Sequence, residues 1–228
     1  VALARRMAGG RCLITASWSL QRAEHGEQPC WMAVTLAAML GQIGLPGGGF
    51  GFGYGSVNGV GTVARPVRWP ALPQGRNPVA SAIPVARLTD MLEHPGGRYE
   101  FNGAWHTYPD VRMIYWAGGN PFHHHHDLNR LRRAWARPEL VVVQESWWTA
   151  TARHADIVLP CATALERNDI AGSTAEPVLA ACHKLAEPPP GVWTEYAIFS
   201  ALAERLGVRE AFTEGRDEEA WLRHLYAE

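Results

Sequence analysis

The stretch from Val111 to Leu159 constrains the fold of this chain more than any other. Val111 to Ala117 (VRMIYWA) reads as a strand and Gly118-Gly119-Asn120-Pro121 as the turn that ends it. Asp127 to Ala136 carries Leu128, Leu131 and Trp135 at helical spacing. Leu140 to Gln144 (LVVVQ) is continuously apolar up to its terminal amide, as strands buried on both faces of a parallel sheet are. Asp156 to Leu159 (DIVL) gives a third strand. The order strand, turn, helix, strand, loop, strand predicts an α/β fold, a parallel sheet flanked by helices. Two amphipathic helices, over 194–206 and 217–226, are expected to pack against that sheet.

The earlier part of the chain has a different texture. Cys12 to Thr15 is a short apolar run suited to a buried strand, and Ser17 to Gln28 is polar and predicts a loop. From Trp31, the positions Val34, Leu36, Ala37, Ala38 and Leu40 predict a helix of high intrinsic propensity, stopped by Gly41 and Gly44-Leu45-Pro46. The glycine-dense run from Gly44 to Gly61 has Phe50, Phe52 and Tyr54 interleaved, which a flexible linker lacks, so it predicts a structured loop. Residues 64–84 are rich in Pro, Arg and Trp and predict extended, irregular chain. The division expected is a first segment over 1–64, with its Gly-rich loop, and a second over 65–228 that carries the parallel sheet.

Composition excludes several function classes. A formal net charge of -1 supplies no global field for nucleic acid or an anionic membrane. No apolar run approaches the length needed to span a bilayer. Cys12, Cys30, Cys161 and Cys182 form no C-x-x-C pair, which argues against an iron–sulfur cluster, a structural zinc or a disulfide framework. The ten tryptophans suit pockets that grip flat ligands, though filling a core accounts for most of them. The chain opens VALARRMAGG, without an initiator Met or a signal-peptide pattern, and closes on WLRHLYAE. Both ends read as cut, so no compartment is legible from targeting signals.

Ligands of open parallel sheets bind beyond the carboxyl ends of the strands, and three loops occupy that position. In the first, Gly118 and Gly119 let backbone amides approach a phosphate or ribose, and Asn120 offers both a donor and an acceptor. By itself such a turn is more often only a turn, and it is neither G-x-G-x-x-G nor a P-loop. In the second, Gln144-Glu145-Ser146-Trp147-Trp148-Thr149, the carboxylate can accept from a ribose diol or from the N–H edge of guanine. The plain alternative is a solvated Glu145 or one paired with Arg153. The third sets Leu159-Pro160-Cys161 beside the polar cluster Glu166-Arg167-Asn168-Asp169. The run His123 to His126 invites a metal, but adjacent side chains at a helix start fan apart. Neutral imidazole donors in a ligand-facing loop describe it better than a metal site or a tag.

The wording of these segments closely resembles one family. Tyr115 to Ile170 (YWAGGNPFHHHHDLNRLRRAWARPELVVVQESWWTATARHADIVLPCATALERNDI) is similar to the dimethyl sulfoxide, trimethylamine N-oxide and biotin sulfoxide reductase group of molybdopterin oxidoreductases. Ser17 to Gly55 and the tail AFTEGRDEEAWLRHLY resemble the same group. Two departures are His126, where most relatives carry Gln, and Cys161, where a small or β-branched residue is usual.

The resemblance implies a much longer enzyme in which two pterin guanine dinucleotides hold one molybdenum, a bis(molybdopterin guanine dinucleotide) cofactor, between two α/β lobes. It implies that Gly118, Gly119 and Asn120 contact the phosphate-ribose portion of one dinucleotide, and that Glu145 and Thr149, with Gln144 beside them, read its guanosine. Trp18 and Arg22 are expected near the pterin and the substrate funnel, supported by Ser19 and Gln21. Asp156 and the Arg167–Asp169 cluster are expected as further contacts. The serine that ligates molybdenum in this group is expected upstream, and a completing barrel downstream, so these residues alone are expected to be inactive.

For the parent enzyme the resemblance implies oxygen-atom transfer from a small S-oxide or N-oxide to molybdenum, with electrons from a donor protein such as a cytochrome. Arg22 either donates to the substrate oxygen or pairs with a pterin or phosphate group. The compartment implied is the periplasm, or the cytoplasm for a biotin sulfoxide reductase-like parent. Two other readings stand beside this one: a non-catalytic pterin- or nucleotide-binding remnant, and a relative acting on formate or nitrate. The Trp147-Trp148 pair favours the S-oxide and N-oxide group.

Overall fold

A computed structural model of the chain describes residues 1–23, 25–52, 69–173 and 176–227. Contacts divide it into two units, Val1–Arg65 and Pro66–Glu228.

In the first unit helix α1 (Ala2–Ala8) leads into strand β1 (Leu13–Ala16), a 3-10 turn over Trp18–Gln21, helix α2 (Glu27–Met39) and strand β2 (Gly49–Phe52). β1 and β2 pair in parallel, with Leu13 beside Gly49 and Ala16 beside Phe52. The Gly-rich run is therefore part strand: Gly49 to Phe52 is recruited by the edge of β1, and the aromatic at Tyr54 lies outside the described residues. Gln42 fixes the start of β1 by accepting from Cys12 N at 2.6 Å and donating to Gly10 O at 2.7 Å. The polar stretch expected to be loop, Ser17 to Gln28, ends inside α2, which begins at Glu27 and not at Trp31.

In the second unit residues 69–84 contain no regular element, and helix α3 (Leu88–Glu93) follows. Strands β3 (Arg98–Phe101) and β4 (Ala104–Thr107) form an antiparallel hairpin whose turn residues Asn102 and Gly103 both have positive φ. The central sheet comes next: β5 (Met113–Ala117), the short helix α4 (Pro121–His124), α5 (Leu128–Ala134), β6 (Leu140–Glu145) and β7 (Ile157–Pro160). The three strands lie in the order β5-β6-β7, all parallel, as the apolar pattern implies. A second hairpin, β8 (Asp169–Ser173) with β9 (Glu176–Cys182), precedes helices α6 (Glu195–Arg205), α7 (Arg209–Thr213) and α8 (Glu218–Ala227).

Period-2 alternation splits the central sheet into two faces. Ile114, Val141 and Val143 pack with Phe122, Leu131, Ala134 and Trp135 into the core, where Val143 and Leu131 are fully buried. Leu128, expected on the same helix face, is instead 43% exposed, because it stands in the first turn just after the N-cap Asp127. The other face meets α6, with the rings of Tyr115 and Phe199 5.8 Å apart. α8 reaches α6 through Trp221 Nε1, which donates to the Tyr196 hydroxyl at 3.1 Å. Of the two terminal helices expected against the sheet, α6 makes the contact, and α8 packs on α6 and borders the β8–β9 hairpin.

Candidate functional site

The carboxyl ends of β5 and β6 bring two of the expected loops together. Gly118 and Gly119 follow β5 with φ of 74° and 79°, the left-handed region where a Cβ is strained. A Cβ on Gly118 would meet nothing within 4 Å, so conformation and not crowding demands glycine there. Asn120 Oδ1 accepts from Thr151 Oγ1 at 2.5 Å and from Thr151 N at 3.3 Å. The Asn120 carbonyl is thus spent inside the protein, leaving its amide NH₂ as the end that can serve a ligand.

Glu145 ends β6. One carboxylate oxygen accepts from Ser146 N at 2.9 Å, and the other from Thr149 Oγ1 at 3.5 Å. Each oxygen has room for a second donor, which suits a ribose diol or the N–H edge of a purine. Among the described residues no ion pair joins Glu145 to Arg153. Thr149 Oγ1 also accepts from Ala152 N at 3.2 Å, tightening the turn. Trp147 and Trp148 stand 71% and 69% exposed beside this carboxylate, flat surfaces with little of the protein covering them.

Three expected contacts are placed differently. Gln144 was expected beside Glu145 as a reader of guanosine. Alternation turns it to the opposite face, where it is 2% exposed and accepts from the Tyr115 hydroxyl at 2.7 Å. Its Nε2 has no partner among the described residues. Asp156 lies at the amino end of β7, next to Val141, and its carboxylate accepts from Val141 N at 2.8 Å. That is the far end of the strands from Gly118 and Glu145, where the carboxylate ties β7 to β6. The Glu166–Asp169 cluster is engaged largely within the protein: Glu166 caps Thr163 N at 2.8 Å, Arg167 pairs with Asp169, and Asn168 Oδ1 accepts from Lys184 N at 2.9 Å, while Arg167 Nε is buried without a hydrogen-bond partner among the described residues.

Cys161 continues from β7 and is buried, with Sγ 3.5 Å from Ser146 Oγ and its N–H donating to Glu145 O at 3.3 Å. Burial pushes the thiol pKa up, the Ser146 hydrogen bond opposes the rise, and Glu195 and Glu145 add to it. Thr151, which no reading of the sequence singled out, is fully buried between the two loops.

In the first unit Trp18, Ser19 and Gln21 form the 3-10 turn at the carboxyl end of β1, with Arg22 as its C-cap. Ser17 Oγ caps the turn and lies 2.9 Å from Ser19 Oγ, while Arg22 N donates to Ser19 O at 3.0 Å. All four side chains are exposed. Among the described residues no group of three or more His, Cys, Asp and Glu is arranged to hold a metal, the histidine run included. No described helix is long and apolar enough to cross a membrane.

Comparison with known proteins identifies the family. A family model, Molybdopterin oxidoreductase, matches residues 9–205. Biotin sulfoxide reductase of Cereibacter sphaeroides is 53% identical over 227 residues, covering 100% of this chain and 30% of the relative. Dimethyl sulfoxide/trimethylamine N-oxide reductase of the same organism is 50% identical over 98% of this chain and 29% of its own length. Trimethylamine-N-oxide reductase of Haemophilus influenzae is 44% identical, again over 98% and 29%. The chain therefore spans about 30% of the length of these curated relatives. The family model spans most of the chain, and the chain belongs to the molybdopterin oxidoreductase family.

Proposed function

We propose that this chain is a cofactor-binding part of an oxidoreductase that reduces small S-oxides or N-oxides with a molybdenum bis(molybdopterin guanine dinucleotide). The observation that carries the reading is the convergence of the Gly118-Gly119 turn and the Glu145–Thr149 loop at one carboxyl edge of a parallel sheet. It is supported by relatives named for S-oxide and N-oxide reduction at 42–53% identity.

The residues present fit such a group. Left-handed glycines with open space at Gly118 leave backbone free to approach a pyrophosphate. Glu145, held by Ser146 N and Thr149, orients its remaining acceptor positions for the N1–H and N2–H₂ edge of guanine or for ribose hydroxyls. The Asn120 NH₂ donates to a phosphate or ribose oxygen. When bound, the molybdenum cofactor supplies the two-electron oxygen-atom chemistry. The chain's own residues bind and orient it. Arg22, a guanidinium at a strand's carboxyl end, either donates to the oxygen of the substrate or balances an anionic part of the cofactor.

The test is reduction of S-oxide and N-oxide substrates by the purified full-length protein with an artificial electron donor. Turnover with either class, and an Arg22→Leu variant with raised KM or lowered kcat at unchanged molybdenum content, supports the reading. An inactive, molybdenum-replete protein defeats it, and unchanged kinetics in the variant remove Arg22 from the substrate.

A further inference from the structure

We propose that Thr151 is a positioning residue that makes the two ligand-facing loops one preorganised grip, so that the phosphate side and the guanosine side hold a nucleotide together. This rests on the dinucleotide reading above. The two loops come from different strands, and each would lose backbone freedom if a ligand had to order it. Thr151 removes that loss in advance. Its hydroxyl donates to Asn120 Oδ1 at 2.5 Å and accepts from Phe122 N at 3.3 Å, while its own N–H donates to Asn120 Oδ1 at 3.3 Å. The N–H can only donate, so it fixes which end of the Asn120 amide faces inward and which remains for a ligand.

A second tie runs beside the first. The Phe122 ring stacks on His154 at 4.2 Å and 9°, again joining the segment after β5 to the segment after β6. Thr151 is fully buried, so water does not compete for these bonds. It stands two residues from Thr149, whose hydroxyl meets Glu145. Holding Thr151 therefore holds the carboxylate loop in register with the glycine turn. Preorganisation of this kind raises affinity by reducing what binding must order, without adding a contact to the ligand.

The experiment compares Thr151→Ser with Thr151→Ala, which differ by one hydroxyl, and with the isosteric Thr151→Val, in the full-length holoprotein. The readout is guanine dinucleotide retained per protein after gel filtration, quantified as the guanosine 5′-monophosphate (GMP) released on acid hydrolysis, over urea concentrations below each variant's unfolding transition. Glu145→Ala serves as a ligand-contact reference. The expectation is that the Ala and Val variants retain on the order of tenfold less nucleotide than wild type at the same urea concentration while Ser stays within about twofold. Ala and Val variants that retain nucleotide like wild type, while Glu145→Ala sheds it, would overturn the positioning role and leave the dinucleotide reading standing. A wild-type protein that carries no GMP at all overturns the dinucleotide reading, and this inference with it.

Discussion

The hydroxyl of Tyr115 on β5 donates to Gln144 Oε1 on β6 at 2.7 Å, on the face of the sheet that α6 covers. Gln144 is 2% exposed and its Nε2 has no partner among the described residues, so Tyr115 supplies the bond that makes its burial tolerable. Tyr115→Phe should lower stability by about 1–3 kcal/mol, since the amide is then stranded at both ends. Adding Gln144→Leu should recover much of that loss. The urea unfolding midpoints of the two variants decide it, and a double variant less stable than the single one contradicts the account.

Alkaline pH should weaken the same region. Burial, then the neighbouring Cys161, raises the Tyr115 pKa above its ordinary 10.0, and burial raises that of Cys161 above 9.0. Both groups are neutral when protonated and hold their protons more tightly in the folded state. The stability they contribute is complete below about pH 9 and declines as pH rises through the raised folded values. The unfolding midpoint should therefore begin to fall above about pH 9, and Cys161→Ser should make the early part of that fall shallower. A pH series of unfolding curves that is unaffected by the substitution rules the thiol out.

Asp156 and Glu145 should separate cleanly. Asp156→Ala removes the acceptor for Val141 N and should cost about 1–2 kcal/mol of stability with no change in bound nucleotide. Glu145→Ala should lose nucleotide instead. Unfolding curves and GMP content on the same preparations distinguish the two, and nucleotide loss in the Asp156 variant would return that residue to the cofactor.

Gly172 and Gly118 are required for different reasons, and alanine should expose the difference. A Cβ on Gly172 would lie 2.9 Å from the Trp69 ring, so Gly172→Ala should displace the indole, cost about 1–3 kcal/mol and shift tryptophan fluorescence. Gly118→Ala meets open space but a φ of 74°, and should cost about 1–2 kcal/mol with its larger effect on nucleotide retention. Fluorescence and GMP measured on both variants check the contrast.

The central sheet was legible because LVVVQ, short and β-branched between turn signals, reads as a strand covered on both faces, and because the Gly118 turn and the Glu145 loop fall at strand carboxyl ends. Side-chain direction was harder. Alternation places Gln144 opposite Val141 and Val143, but only α6, fifty residues on, turns that face into interior. Asp156 precedes its strand, so the carboxyl-end rule already argued against it as a ligand contact. The β3–β4 hairpin carried a readable signal, Asn102-Gly103 between alternating runs. The β8–β9 hairpin carried a weaker one, since the Asp169–Ser173 strand (DIAGS) has little alternation and its packing partner Trp69 is a hundred residues away. Thr151 was invisible because its partner Asn120 lies 31 residues back and meets it only through the fold.

The most direct measurement of the central claim is molybdenum and released GMP, quantified on the purified full-length protein. The account predicts about two GMP for each molybdenum, with the nucleotide content reduced in Glu145→Ala. Molybdenum accompanied by no guanine nucleotide would contradict it.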